Sequence, residues 1–122
     1  MKFLWTTIYV NDMEASLKFY QEVVGLPLKR RFTSPTGMEL AFLGSGETEV
    51  ELICEKDGKE KLIGKEISMG FEINSVDEKI KEFRANKIEI YSGPVQPNPM
   101  IRFFYVLDPN GLKIQFVERI QA

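Results

Sequence analysis

Hydrophobic and polar positions alternate in blocks that predict strands and helices in a recurring order. Residues 2–10, KFLWTTIYV, are rich in aromatic and β-branched side chains, which is typical of a strand. The next segment, MEASLKFYQEVVG, places apolar residues at spacings of three and four, as on one face of a helix. Asp12 is a suitable N-cap for this helix, and Gly25 is a suitable end.

Short strands and turns complete the first half of the chain. Turn sequences SPTG and GSG separate the three strands that we predict at 26–32, 38–43 and 47–54. Residues 55–66, EKDGKEKLIGKE, are polar and charged, and we interpret them as a solvated linker between the halves.

The second half repeats this order of elements with different residues. Three prolines, at 94, 97 and 99, predict an irregular loop, and DPNG (108–111) predicts a tight turn. The predicted elements are a strand at 67–73, a helix at 74–87, and strands at 88–95, 100–107 and 112–118.

The repeated β-α-β-β-β order predicts an α+β fold made of two βαβββ modules. We expect a single domain over residues 1–122, with the first module at 1–54, the linker at 55–66 and the second module at 67–122. Because each sheet has a helix on one face, its other face must be covered by the second module, a partner subunit or a ligand.

The last predicted strand, LKIQFVE, carries a polar residue in its middle. Alternation places Ile114 and Phe116 on one face, and Lys113, Gln115 and Val117 on the other. At this point Gln115 has three possible roles: a solvated position, a pocket wall or a weak metal ligand.

Composition and charge exclude several classes of function. Hydrophobic residues make up 43% and charged residues 28% of the chain, as in a soluble globular protein. The net charge of −2, with both signs interspersed, argues against nucleic-acid binding. We expect neither export nor a membrane span, because no charged-then-apolar leader and no long apolar run is present. A single cysteine, Cys54, fits a reduced, cytoplasmic setting.

The sequence contains no histidine. Histidine is the usual general base near neutral pH, the usual partner of a Ser or Cys nucleophile, and the commonest nitrogen ligand of transition metals. Triad mechanisms and most metal-hydrolase mechanisms are therefore excluded, which leaves carboxylates, tyrosines, lysines and amides for any chemistry.

Three stretches together resemble the vicinal oxygen chelate (VOC) superfamily, which includes glyoxalase I, extradiol dioxygenases and bleomycin-resistance proteins. They are YVNDMEASLKFYQEVVGL (9–26), MGFEINSVDEKIKEF (69–83) and FFYVLDPNGLKIQFVE (103–118). The resemblance implies curved mixed sheets that enclose a concave pocket, usually in a homodimer.

The resemblance also implies where a metal would be bound. In metal-dependent members four strand positions hold the ion, and they fall here on Trp5, Glu51, Ser68 and Gln115. Glu51 is a strong ligand and Gln115 retains a carbonyl oxygen, whereas Ser68 is a poor ligand and Trp5 cannot coordinate. We therefore expect no tightly bound cofactor, and at most a weakly held divalent ion at Glu51 and Gln115.

The same positions suit the binding of an organic molecule. Aromatic side chains together with a carboxylate and an amide favour a flat or cationic ligand. For any one of these aromatics, a place in the core or in a dimer interface is an equally good interpretation. The predicted ligand-binding residues are Trp5, Tyr9, Glu51, Ser68, Phe103, Tyr105 and Gln115.

Two functions follow from this site. The first is metal-independent binding or sequestration of a small aromatic or cationic molecule by a homodimer, as in bleomycin-resistance proteins. The second is a lactoylglutathione lyase-like lyase or isomerase that uses a weakly held divalent ion, with Glu51 as the candidate catalytic base. A third possibility is a partner-binding domain whose pocket has collapsed onto its aromatics. Whether the protein is an enzyme is left open.

Overall fold

The computed structural model describes residues 1–120 of the chain. These residues divide into two compact units, Met1–Leu62 and the part of the chain from Ile63 onward. Each unit contains one four-stranded mixed sheet and helical segments that follow its first strand, so the predicted βαβββ order is confirmed in both. Within residues 1–120, no helix is long and apolar enough to cross a membrane.

The first unit has the strand order β1-β4-β3-β2. Strand β1 runs parallel to β4, and the remaining neighbours are antiparallel. The elements are β1 (Trp5–Tyr9), α1 (Met13–Lys18), a π-helical segment (Phe19–Val23), β2 (Leu28–Thr33), β3 (Glu39–Leu43) and β4 (Glu49–Cys54).

Helix α1 begins where the sequence predicted, because the Asp12 side chain accepts a hydrogen bond from the backbone N–H of Ala15. The predicted helix is not uniform, since its second half is a π-helical segment in which Val24 N bonds to Phe19 O. This wider turn accompanies the burial of two adjacent aromatic rings, Phe19 and Tyr20, in the core of the unit.

Strand β2 contains a bulge, because Leu28 pairs with Leu43 whereas Arg30 pairs with the adjacent residue, Phe42. Lys29 is therefore an additional residue on this strand. The bulge reverses the side-chain alternation, so that Leu28 and Arg30 lie on opposite faces of the sheet although they are two residues apart.

The second unit has the strand order β5-β8-β7-β6, with β5 parallel to β8 and the other neighbours antiparallel. Its elements are β5 (Ser68–Glu72), α2 (Val76–Ala85), β6 (Ser92–Asn98), β7 (Ile101–Leu107) and β8 (Lys113–Arg119).

Helix α2 packs on its sheet through an aromatic core. Phe83 meets the edges of the Phe104 and Phe116 rings at centroid distances of 5.8 and 5.2 Å. The helix begins at the Ser75 cap, and Glu118 of β8 accepts a further hydrogen bond from Val76 N at 2.8 Å. Ile114 and Phe116 share one face of β8, as their alternation predicted, and this is the face that packs against the helix.

The predicted strand at 88–95 is wrong in its first half, because β6 begins at Ser92 and continues to Asn98. It includes Pro94 and Pro97, which the sequence assigned to an irregular loop. An edge strand tolerates proline because one side of its backbone needs no partner, and β6 pairs with β7 only at Ser92, Val95 and Asn98.

Candidate functional site

The face of the first sheet that lies opposite α1, here called the α1-distal face, carries the predicted residues of this unit. Strand pairing aligns Trp5 with Glu49, Thr7 with Glu51, and Tyr9 with Ile53. Trp5, Tyr9 and Glu51 therefore lie on one face of the sheet. The residues of the opposite face, such as Ile8 and Leu52, are buried in the core of the unit.

Glu51 is the buried carboxylate of this face, with 8% of its surface exposed. The Thr7 hydroxyl donates a hydrogen bond to Glu51 Oε1 at 2.5 Å. A carboxylate held in this way has one oxygen engaged and can still accept a hydrogen bond or a proton through the other.

An aromatic cluster lies beside Glu51, centred on Phe42 of β3, which pairs with Glu51 in the sheet. Trp5 meets the Phe42 ring edge-on, at 5.2 Å between centroids, and Phe32 lies nearly parallel to it at 6.3 Å. Phe42 itself is buried, whereas 41% of Trp5 and 47% of Phe32 are exposed. The cluster therefore presents aromatic surface to solvent.

Two basic side chains of β2 share one carboxylate on the same face. Lys29 Nζ lies 3.6 Å and an Arg30 guanidinium nitrogen 3.5 Å from the two oxygens of Glu49. The Arg30 guanidinium also lies over the Phe42 ring, with its central carbon 3.9 Å from the ring centroid.

Sequence reasoning missed Phe42 and Arg30. The alternation along β3 could have placed Phe42 on the face of Glu51. The bulge at Lys29, however, reverses the alternation of β2, and nothing in the sequence marks it.

The corresponding surface of the second unit, the α2-distal face, carries the other four predicted residues. Gln115 pairs with Tyr105 in the sheet and its Nε2 donates to the Tyr105 hydroxyl at 3.4 Å, while the Phe103 and Tyr105 rings lie edge-to-face. Ser68 pairs with Lys113, two residues before Gln115 and on the same face, and is exposed. These residues form one row on one face of the sheet.

Gly70 explains how the Gln115 amide is accommodated. A Cβ atom at Gly70 would lie 3.1 Å from Gln115 Oε1, which is closer than a normal contact. A larger residue here would displace the amide, so the absence of a side chain leaves room for Gln115.

A groove in the first unit, away from the predicted site residues, was not predicted. This groove of about 540 Å³ lies at the end of β1 and β4, where Cys54 and Asn11 meet the segment 55–60. The Asn11 side chain stabilises the position of Lys61, the residue that follows this segment. It accepts a hydrogen bond from Lys61 N at 2.6 Å and donates one to Lys61 O at 3.2 Å. The backbone N–H of Lys59 and then the Lys61 ammonium lower the pKa of Asp57.

The four residues that the resemblance assigns to the family's metal positions do not fit a transition metal. Such an ion requires three or four nitrogen, sulfur or carboxylate donors, and the set here offers one carboxylate and one neutral amide. Trp5 presents an indole that has no lone pair for coordination, and its ring packs against Phe42. Over residues 1–120, no group of three or more His, Cys, Asp or Glu side chains is arranged to hold an ion.

Comparisons with known proteins give the family. The sequence model of the Glyoxalase/Bleomycin resistance protein/Dioxygenase superfamily matches residues 2–116. Lactoylglutathione lyase of Neisseria meningitidis is 33% identical to this chain over 130 aligned residues, which cover 98% of this chain and 91% of that protein.

Solved structures share the fold at lower sequence identity. Glyoxalase I of Leishmania major has a TM-score of 0.83 and 24% identity, covering 97% of this chain and 86% of its own. TnmS3, an antibiotic binding protein from Streptomyces sp. CB03234, has a TM-score of 0.77 and 19% identity, with coverages of 98% and 97%. Together with the match over residues 2–116, these likenesses lead to one conclusion: the chain belongs to the Glyoxalase/Bleomycin resistance protein/Dioxygenase superfamily, as its sequence motifs indicated.

Proposed function

We propose that this protein binds or sequesters a small organic molecule without a tightly held metal ion. The observation that carries the proposal is the surroundings of Trp5, which the resemblance assigns to a metal-ligand position of the family. Its half-exposed ring packs on Phe42 next to the buried carboxylate of Glu51. An aromatic surface beside a hydrogen-bonded carboxylate suits a flat organic molecule better than an ion.

The remaining predicted residues complete the proposed ligand-binding set. Ser68, Phe103, Tyr105 and Gln115 add two aromatic rings, an amide and a hydroxyl on the α2-distal face. We propose that the protein acts as a cytoplasmic homodimer of one-domain chains. TnmS3, which shares the fold, is an antibiotic binding protein, and this supports the proposal that the present chain binds a small organic molecule.

Ligand screening tests this proposal. We expect planar aromatic compounds to raise the melting temperature and to change the fluorescence of Trp5, which is the single tryptophan of the sequence. Substitution Glu51→Gln keeps the shape of the side chain and should weaken the binding of ligands that donate hydrogen bonds to the carboxylate. A purified protein that no aromatic compound stabilises, with unresponsive Trp5 emission, would contradict the proposal.

The alternative is a lyase or isomerase of the lactoylglutathione lyase type. The 33% identity to lactoylglutathione lyase of Neisseria meningitidis supports it. The predicted metal-ligand residues give it less support, because only Glu51 and Gln115 among them could hold a divalent ion. Glu51 would also have to serve as the catalytic base. Metal analysis combined with turnover of a hemithioacetal distinguishes the two functions. Stoichiometric metal, and activity that is lost in Glu51→Ala, would favour the enzyme.

A further inference from the structure

We propose that the ligand of the α1-distal face is an aromatic anion, and that Arg30 binds its negatively charged group. This inference rests on the proposed function and specifies the chemical class of the molecule. An aromatic carboxylate is the simplest member of that class.

The first argument is the charge balance around Glu49. Its carboxylate is shared between Lys29 and Arg30, at 3.6 and 3.5 Å, both longer than a good charged hydrogen bond. Two cations on one carboxylate leave one positive charge that Glu49 does not neutralise. An incoming anion can therefore pair with Arg30 while Lys29 stays on Glu49.

The second argument is which charges face solvent. The side chains of Lys29 and Arg30 are 49% and 47% exposed, whereas that of Glu49 is 14% exposed. Glu51, the other carboxylate of this face, is buried and engaged by Thr7. A molecule approaching the aromatic cluster therefore meets cations first, and an anionic group gains from that order of charges.

The third argument is the fixed position of the guanidinium. The contact with Phe42, at 3.9 Å from the ring centroid, restricts the movement of the guanidinium. Its planar set of N–H groups can donate two parallel hydrogen bonds to a planar oxyanion that replaces Glu49 in the 3.5 Å ion pair. The exposed parts of the Trp5 and Phe32 rings then offer apolar contacts to the rest of the ligand.

The same contact disfavours a cationic ligand on this face. A cation would bind best over an aromatic ring, but the Phe42 ring is already covered by Arg30. A cation that approaches the exposed Trp5 or Phe32 ring would meet the exposed positive charges of Lys29 and Arg30. The sequence predicted an aromatic or a cationic ligand. For this face we propose an aromatic ligand that carries a negative charge.

Three probes with the same ring system test the inference by titration calorimetry at pH 7: 2-naphthoate, 2-naphthylmethanol and 2-naphthylmethylammonium. We expect naphthoate to bind at least tenfold more tightly than the alcohol, and the ammonium compound to bind most weakly. Substitution Arg30→Gln should lower the affinity for naphthoate at least tenfold. It should change the affinity for the alcohol by no more than about twofold, relative to the unsubstituted protein. Arg30→Lys, which keeps the charge but not the planar fork, should give an intermediate loss.

Arg31→Gln is the matched control. Arg31 neighbours Arg30 in sequence, but it pairs with Glu14 of α1 and with Glu39, on the other side of the sheet. This substitution removes the same charge and should leave naphthoate binding unchanged. The inference is overturned if Arg31→Gln costs as much affinity as Arg30→Gln, or if naphthoate binds no better than the alcohol. If the alcohol and the ammonium compound still bind, the proposed function survives; if none of the three binds, both proposals fall.

Discussion

Glu51 is buried beside an aromatic cluster, and the Thr7 hydroxyl of the neighbouring strand donates to it. A buried carboxylate without a donor is costly, because it loses the hydrogen bonds that water would make. The Thr7 hydroxyl therefore stabilises the fold, and it also fixes one oxygen of a group that we place in the ligand site.

We predict that Thr7→Val lowers the free energy of unfolding by about 1–2 kcal/mol, since the substitution keeps the side-chain shape and removes the donor to a charged acceptor. Urea denaturation followed by circular dichroism measures this change. Thr6→Val makes the same change at the adjacent position, on the opposite face of β1, and should have a smaller effect. Equal losses in the two variants would show that the hydrogen bond to Glu51 contributes little.

At the scale of single residues, the sequence indicates which residues carry suitable chemical groups better than it indicates which side chains contact one another. It predicts Glu51 and Gln115 as site residues, because strand alternation and the family motifs both point to them, and their roles stay predictions. It could not identify Arg30 over Phe42, because that contact depends on the bulge at Lys29. The assembly of all seven predicted residues into one ligand site stays a prediction.

Among the elements, β6 differs most from its sequence-based prediction. Prolines usually exclude a strand, yet Pro94 and Pro97 lie within β6, at positions between its pairings with β7. Edge position is a property of the folded sheet, so local sequence patterns do not reveal it. The order of elements, by contrast, was predictable, because hydrophobic periodicity and turn residues are local signals.

A substitution of Gly93 tests whether β6 packs closely against β7. Gly93 has a φ of +96°, and a Cβ atom there would lie 3.1 Å from the backbone of Phe104 on β7. Gly93→Ala should therefore lower the free energy of unfolding by about 2 kcal/mol or more, through backbone strain and steric conflict.

Gly46→Ala serves as the control for that variant, because a Cβ atom at Gly46 would meet no atom within 4 Å. Thermal denaturation of the two proteins measures the difference. A melting temperature of Gly93→Ala equal to that of Gly46→Ala would contradict the assignment of β6 as a strand packed closely against β7.

On the scale of the whole molecule, each unit has its own sheet and its own buried residues. A unit of about sixty residues buries only a modest fraction of its surface and is marginally stable alone. We therefore retain the sequence-based proposal that residues 1–122 form one domain.

This proposal predicts a single unfolding transition. Trp5 fluorescence reports on the first unit, and hydrogen exchange of the β8 amides reports on the second. Both should give the same midpoint in urea, and Thr7→Val should lower both together. Two separated midpoints, or a β8 signal that does not respond to a substitution in the first unit, would indicate independent domains.

The additional residue in β2 has a consequence for how this protein can diversify. Lys29 is accommodated without any change in β3, so its deletion would restore regular alternation and keep Arg30 opposite Phe42. Glu49 would then pair with Arg30 alone, and the surplus positive charge of this face would be lost. Relatives that differ only in the length of this strand would then select ligands of different charge while keeping every aromatic residue. Insertions and deletions, rather than exchanges of side chains, would be the route by which specificity evolves here.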